Sequence, residues 1–390
     1  MSKSSEVTIV TRALVTEDTK PTSIIVNHST FHIYPERKCH KYIGPTMNVL
    51  KEHRFGPTIK QHHAERTEKN ERRKSGLPPV EPDDNAFFLH QPYLAFHVPP
   101  RVLYMGSSKS TANPAVLIHT GCFWKEYKIQ LGPSIAKPGV LDPRGVVAWK
   151  HNGGDRKALK TDDCKLKGYK VRSWRLWGEH GKAYVHSVKK ARETGKGADP
   201  DVVGDEKLQH SEPEKADEVV YLRWTNPLSR CARQYHFEYA GIDFYWKGTS
   251  TTKEARKCGV LLCFNHLKLV AKLPPADSRD RHEVCLGKFT SSIAKQKNGS
   301  LELFDSAILR LLEEYAPSVL TSDTLQHQVG DVDGFVVQGE SSKIARLKKC
   351  TVYQLIVAAA ICMIISEKEK RYTLMDLILQ AAEGGGGAGG

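Results

Sequence analysis

Fifteen consecutive residues near the C-terminus, Thr351 to Ile365, carry no charge. They lie within KIARLKKCTVYQLIVAAAICMIIS (343–366) and are followed, after Ser366, by Glu367, Lys368, Glu369, Lys370 and Arg371. A helix that is apolar on every side needs an apolar surround. The run is shorter than the roughly 20 apolar residues that span a bilayer, and it contains Thr351 and Gln354. The expectation is a central helix over 343–366 enclosed by protein. A membrane anchor is the alternative.

The rest of the chain supplies material for an enclosure. Short runs rich in aromatic and aliphatic residues predict strands at 101–105, 115–120, 124–131, 145–150, 168–174, 182–188 and 218–224. In the third, Tyr127, Ile129 and Leu131 share one face while Glu126, Lys128 and Gln130 share the other, which is period two with one wet face. Tyr235, Phe237 and Tyr239 alternate, and so do Ile242, Phe244 and Trp246 after Gly241. Further strands are predicted at 259–264, 267–273, 284–289 and 300–304, and an amphipathic helix at 306–315. About twelve strands at this spacing argue against alternating strands and helices and for a barrel or sandwich. The fold class expected is mainly β, a closed barrel of about twelve strands around the hydrophobic C-terminal helix. Closure removes sheet edges, and the helix fills a lumen too wide for side chains alone.

Composition divides the chain. Residues 1–91 read as a largely disordered basic N-terminal region, charged and proline-rich toward its end. The barrel is expected over 92–371, interrupted by a disordered loop at 189–217. A short helix at 372–382 and a Gly-rich tail complete 372–390. The basic cluster Arg72-Arg73-Lys74-Ser75 fits a kinase target or part of a nuclear-import patch, and equally a solvated tail.

The segment YAGIDFYWKGTST (239–251), LKLVAKLP (267–274), the strand around GKF (287–289) and the apolar helix together resemble the tubby C-terminal-like superfamily. That group includes tubby proteins, plant LURP-one-related proteins and phospholipid scramblases, and the chain is similar in character to its fungal members. The resemblance covers roughly residues 95–371 and rests on segment order. It implies a twelve-stranded barrel threaded by a helix, and it implies binding of phosphoinositide or other anionic lipid. The cysteine-rich run and acidic calcium-associated segment of scramblases are absent. The basic residues with which tubby proteins hold head groups have no residue-by-residue match, so none is carried over.

Lys and Arg outnumber Asp and Glu by 58 to 44, a net charge of +14. Such an excess favours anionic partners without choosing among them. Basic residues interleave with Trp174 and Trp177 between 165 and 190, and Lys165, Lys167, Lys170, Arg172 and Arg175 form the candidate anion-binding stripe. Specific nucleic-acid binding is not expected, since no zinc-finger, homeodomain or RNP pattern occurs. Nine cysteines at irregular spacing fit free thiols in a reducing compartment. Cys258, Cys263, His266 and Cys285 are the tightest Cys/His group, but they lack a C-x2-C pair, and neither metal nor cofactor is expected. There is no G-x-S-x-G and no P-loop. The paired carboxylates Asp162-Asp163 and Glu313-Glu314 are adjacent in sequence, whereas a general acid and base must face each other across a substrate. The expectation is a non-enzymatic, cytoplasmic barrel that binds anionic lipid head groups or a membrane surface peripherally. The alternatives are a protein-interaction or nuclear regulatory module using the charged tails, and a scramblase-like membrane-associated protein.

Overall fold

The alternation of large apolar residues with polar ones is realised as a sheet that closes on itself. The computed structural model describes residues 27–36, 39–76, 83, 85–94, 97–110, 112–121, 126–171, 179–194, 213–224, 234–248, 266–273, 283–292, 294–320 and 340–385. In chain order the elements are β1 (Ser29–Pro35), β2 (Lys41–Gly44), α1 (Val49–Glu52), α2 (Ile59–Lys74), β3 (Phe87–His90), β4 (Arg101–Met105), β5 (Asn113–Thr120) and β6 (Glu126–Leu131). Then follow α3 (Arg156–Thr161), α4 (Glu179–Thr194), β7 (Glu218–Trp224), β8 (Gln234–Tyr239), β9 (Ile242–Lys247), β10 (His266–Lys272), β11 (Glu283–Ser291) and β12 (Gly299–Leu303). The last are α5 (Asp305–Tyr315), α6 (Glu340–Leu347) and α7 (Thr351–Gly385). Every strand pairs antiparallel with its sequence neighbour, and β1 pairs with β12 to close the ring. The β8–β9 hairpin turns on Ala240 (φ 51°) and Gly241 (φ 75°), two successive left-handed residues whose twist matches that of the flanking strands.

The helix fills the lumen. Val352, Tyr353 and every residue from Leu355 to Met363 are fully buried and join one core with the inward residues of the barrel strands. Thr351–Glu369 is long and apolar enough to cross a bilayer, but here the barrel wall surrounds it. Polar latches hold both ends. At the lower end, where α7 begins, Asp305 accepts hydrogen bonds from Ser29 (2.5 Å) and from the Tyr353 hydroxyl (3.1 Å). At the upper end the Tyr127 hydroxyl meets Ser366 Oγ at 2.6 Å, and the Tyr235 hydroxyl donates to Glu367 at 2.6 Å. The closed twelve-stranded barrel with its buried C-terminal helix matches the general architecture of the tubby-like fold.

Several boundaries are corrected. The barrel starts at Ser29, so the expected tail of 1–91 supplies β1, β2 and β3; residues 1–26 lie outside the described residues. Two of these strands, KYIG and FFLH, are four residues long and are separated by the charged helix α2, so neither shows a readable period. The segment 145–150 is no barrel strand: Leu141 and Val147 form an isolated bridge, and Trp149–His151 is one turn of 3-10 helix. In 168–174 only a parallel bridge from Tyr169 to Ala148 forms, and residues 172–174 lie outside the described residues. Residues 182–188 are helical, within α4. Tyr184 and Val188 stand four apart, a helical spacing that a short run shares with alternation. The 259–264 strand lies outside the described residues, as do 195–212 of the expected loop 189–217. Residues 189–194 of that loop belong to α4, and Ala216 is buried. The expected central helix 343–366 is broken at 348–350 into α6 and α7, and α7 runs on through the separate helix expected at 372–382. No Gly or Pro interrupts the chain between Thr351 and Glu383, so nothing stops the helix as it leaves the barrel.

Candidate anion-binding ridge

The sequence-predicted stripe lies in the β6–β7 connection, which covers the outer face of β4, β5 and β6. Those strands are apolar on both faces. Leu103, Val116 and Ile118 point into the lumen core. Val102, Tyr104 and Leu117 point outward into a second core with Ile135, Val140, Val147, Leu166 and Ala216. Gln130 is buried on the same outer face, and its amide donates to the carbonyl oxygens of Asp163 (2.8 Å) and Lys165 (3.2 Å). At the far end of the covering segment, the Asp217 carboxylate accepts from Ser134 N (3.0 Å) and Ser134 Oγ (2.9 Å).

A buried arginine pins the stripe to this cover. Asp142-Pro143-Arg144-Gly145 forms a tight turn in which Gly145 takes φ 80°. A side chain at Gly145 would collide with the His90 ring, so both space and backbone call for glycine. Arg144 donates from Nε to Asp142 at 2.7 Å, from one terminal nitrogen to the Tyr169 carbonyl at 2.7 Å, and from the other to the Lys170 carbonyl at 3.1 Å. Burial pushes the Asp142 carboxyl up from its ordinary value, and the charge and hydrogen bonds of Arg144 oppose it. His90 donates from Nε2 to the Arg144 carbonyl at 3.0 Å. Burial first, and then the charge of Lys109, drives His90 down to about 3, so the ring is neutral.

Three of the five predicted residues sit on the segment thus held. Lys167 and Lys170 are exposed and Lys165 is half-buried. The Lys167 ammonium lies 5.4 Å from the Tyr169 ring centroid, and the Lys170 ammonium 4.6 Å from that of Trp149. The neighbouring carboxylates are already engaged: Asp162 with Lys215 at 3.1 Å, and Asp163 with Lys128 at 2.9 Å and with the Tyr221 hydroxyl. Hydrogen bonds from Lys215 and from Tyr221 are the leading causes that hold Asp162 and Asp163, respectively, below the usual carboxylate range. Arg172 and Arg175 lie outside the described residues, as do Trp174 and Trp177. Arg144 and Trp149 were absent from the predicted stripe. The D-P-R-G turn was the available signal for the first.

The other candidate groups do not converge. His266 pairs with Thr290, while Cys285 pairs with Val270, four residues further along β10. That separates them by about 13 Å along the strand. Cys258 and Cys263 lie outside the described residues. Among the described residues no cluster of three His, Cys, Asp or Glu side chains is placed to hold a metal. Glu313 pairs with Lys343 at 2.9 Å on an exposed surface. No protein-family model, no curated protein and no solved structure matches the chain.

Proposed function

We propose that this chain is a non-enzymatic, cytoplasmic barrel of the tubby-like type that binds anionic phospholipid head groups, phosphoinositides among them, peripherally. The observation that carries the reading is the lysine ridge on a rigid cover. Lys167 and Lys170 stand exposed on a segment fixed by Arg144, and the nearest carboxylates are matched to other partners. A preorganised cluster of cations meets a phosphate with little ordering cost. Each lysine near an anionic surface contributes on the order of 1 kcal/mol, so three supply about 3 kcal/mol, roughly a hundredfold in affinity. Arg172 and Arg175 continue the stripe in sequence. Family membership is inferred from architecture alone.

The test is co-sedimentation of the protein with vesicles, with and without phosphoinositide, at low and physiological salt. The reading expects binding that survives physiological salt and falls by at least about a hundredfold in K165E/K167E/K170E. Binding that vanishes with salt, or is unchanged by the triple reversal, removes the ridge as a lipid site and leaves the +14 as generic surface charge.

A further inference from the structure

The end of α2 carries the basic run Arg72-Arg73-Lys74-Ser75, which the lipid reading leaves unused. A protein kinase with an acidic substrate cleft reads such a pattern, two cations placed two and three residues before the acceptor hydroxyl. The same placement recurs at Lys348-Lys349-Cys350-Thr351 and at Lys370-Arg371-Tyr372-Thr373. By charge pattern the three hydroxyls are alike. The fold separates them. Phosphoryl transfer needs the hydroxyl in line with the γ-phosphate inside the kinase cleft, so the acceptor segment must leave any helix that holds it. Thr351 opens α7, and Val352 and Tyr353 beside it are fully buried in the lumen core. Extending that segment draws both out of the barrel and breaks the bond from Tyr353 to Asp305 (3.1 Å). Thr373 lies inside α7, which runs unbroken from Thr351 to Gly385, so freeing it breaks helical hydrogen bonds on both sides.

Ser75 is held only by its own helix end. It is exposed, and its backbone N–H closes the α2 ladder on the Glu71 carbonyl at 2.8 Å. Gly76 follows with φ 63°, the left-handed residue that stops a helix, and Pro78 and Pro79 come next in the chain. Every residue of α2 whose burial is described is exposed, so no buried face anchors its last turn. A polar helix of 16 residues without tertiary packing frays readily at its ends. The cations are available too. The carboxylates of α2 are Glu65, Glu68 and Glu71, and all three precede the basic run. Among the described residues the ion pair within α2 joins Glu65 to His62, at 4.0 Å. Arg72 and Lys74 are exposed.

We infer that Ser75 is the phosphoacceptor of a serine/threonine protein kinase that recognises arginines two and three residues before its target. In the transfer the Ser75 oxygen bonds to the γ-phosphorus of ATP, the bond from that phosphorus to the ADP oxygen breaks, and the hydroxyl proton is released. The product places about two negative charges directly after the basic run. The inference uses neither the lysine ridge nor a lipid partner, and it fails separately from the reading above.

The full chain is incubated with magnesium ATP and the catalytic subunit of an arginine-directed kinase, and phosphopeptides are mapped by mass spectrometry. Label is expected on Ser75, with Thr351 and Thr373 slower by about tenfold or more. Ser75→Ala should lose about tenfold or more of the incorporation, and Arg72→Gln should lower kcat/KM by a similar factor. Both positions are exposed, so the melting temperature should not move. A peptide of residues 69–79 supplies the unhindered limit, and the folded chain is expected to react within about tenfold of it. A folded chain slower than that overturns the inference, because α2 then shields the hydroxyl. So does a smaller loss in Ser75→Ala, an unchanged rate in Arg72→Gln, or label on Thr351 or Thr373 at a rate close to that of Ser75.

Discussion

Two stretches of the barrel wall, β4–β6 and β8–β10, line the same lumen but differ on their outer faces. On β8–β10 the outward residues include His236, Asp243, Tyr245 and Lys272, half-buried and paired with one another: His236 meets Asp243 at 2.6 Å and stacks on Tyr245 at 4.6 Å, and Lys272 lies 4.0 Å from the Tyr245 ring centroid. On β4–β6 the outward residues include Val102, Tyr104 and Leu117, and a second core covers these three. An uncovered wall is a surface of weak pairs. A covered wall is a platform, and what it carries is held in place.

The strongest way to break this contrast is to remove the pin from the platform. Arg144→Met leaves Asp142 buried without its cation, and should cost about 3–5 kcal/mol. Urea unfolding measures it. Asp142→Asn added to Arg144→Met should recover most of the loss, because the stranded charge is gone. Equal losses in the single and double variants would show that the contacts to Tyr169 and Lys170 matter and the charge does not.

Next in size, Leu117→Ala should cost about 2–4 kcal/mol although Leu117 lies outside the lumen. A loss below 1 kcal/mol would mean that the cover is only loosely packed. The platform should also respond to acid. Two of its histidines titrate far below their ordinary value of 6.5: burial takes His119 down to about 4 and His90 to about 3. The unfolded chain takes up these protons near 6.5 and the folded chain does not. Stability is therefore full above 6.5 and falls as pH drops toward 4, by up to about 1.4 kcal/mol per pH unit for each group. His119→Gln and His90→Gln should flatten the urea midpoint between pH 7.5 and 5. An unchanged slope would show that neither ring is protected from protonation.

The smallest effect belongs to the open wall. Lys272→Ala removes one cation over one ring and should change stability by about 1 kcal/mol or less. A larger loss would mean that the open wall has more structure than its pairs suggest.

The same contrast explains what could be read from the chain. On the open wall one face is wet, so Tyr235, Phe237 and Tyr239 alternate visibly with polar residues. On the covered wall Ala115, Val116, Leu117 and Ile118 are all buried, and alternation disappears although the strand is correctly located. The cover misled in the other direction. GVVAWK at 145–150 contributes Val147 to the second core with Leu117 and Tyr104 and does not join the ladder. A strand count near twelve thus held while its membership changed, with β1 to β3 entering and the segments at 145–150, 168–174 and 182–188 leaving. At the ridge, Lys165, Lys167 and Lys170 were legible as charge. Their fixation was not, because it depends on Arg144, more than twenty residues upstream.

The closure of β1 on β12 has a consequence for biosynthesis. The two strands are about 270 residues apart, and the helix they surround is made later than either. A ribosome therefore releases the whole wall before the filling exists. Such long-range pairing is slow, and an unfilled wall exposes apolar surface while it waits. The last-made core segment packs directly on the first strand of the barrel, Tyr353 against Phe31.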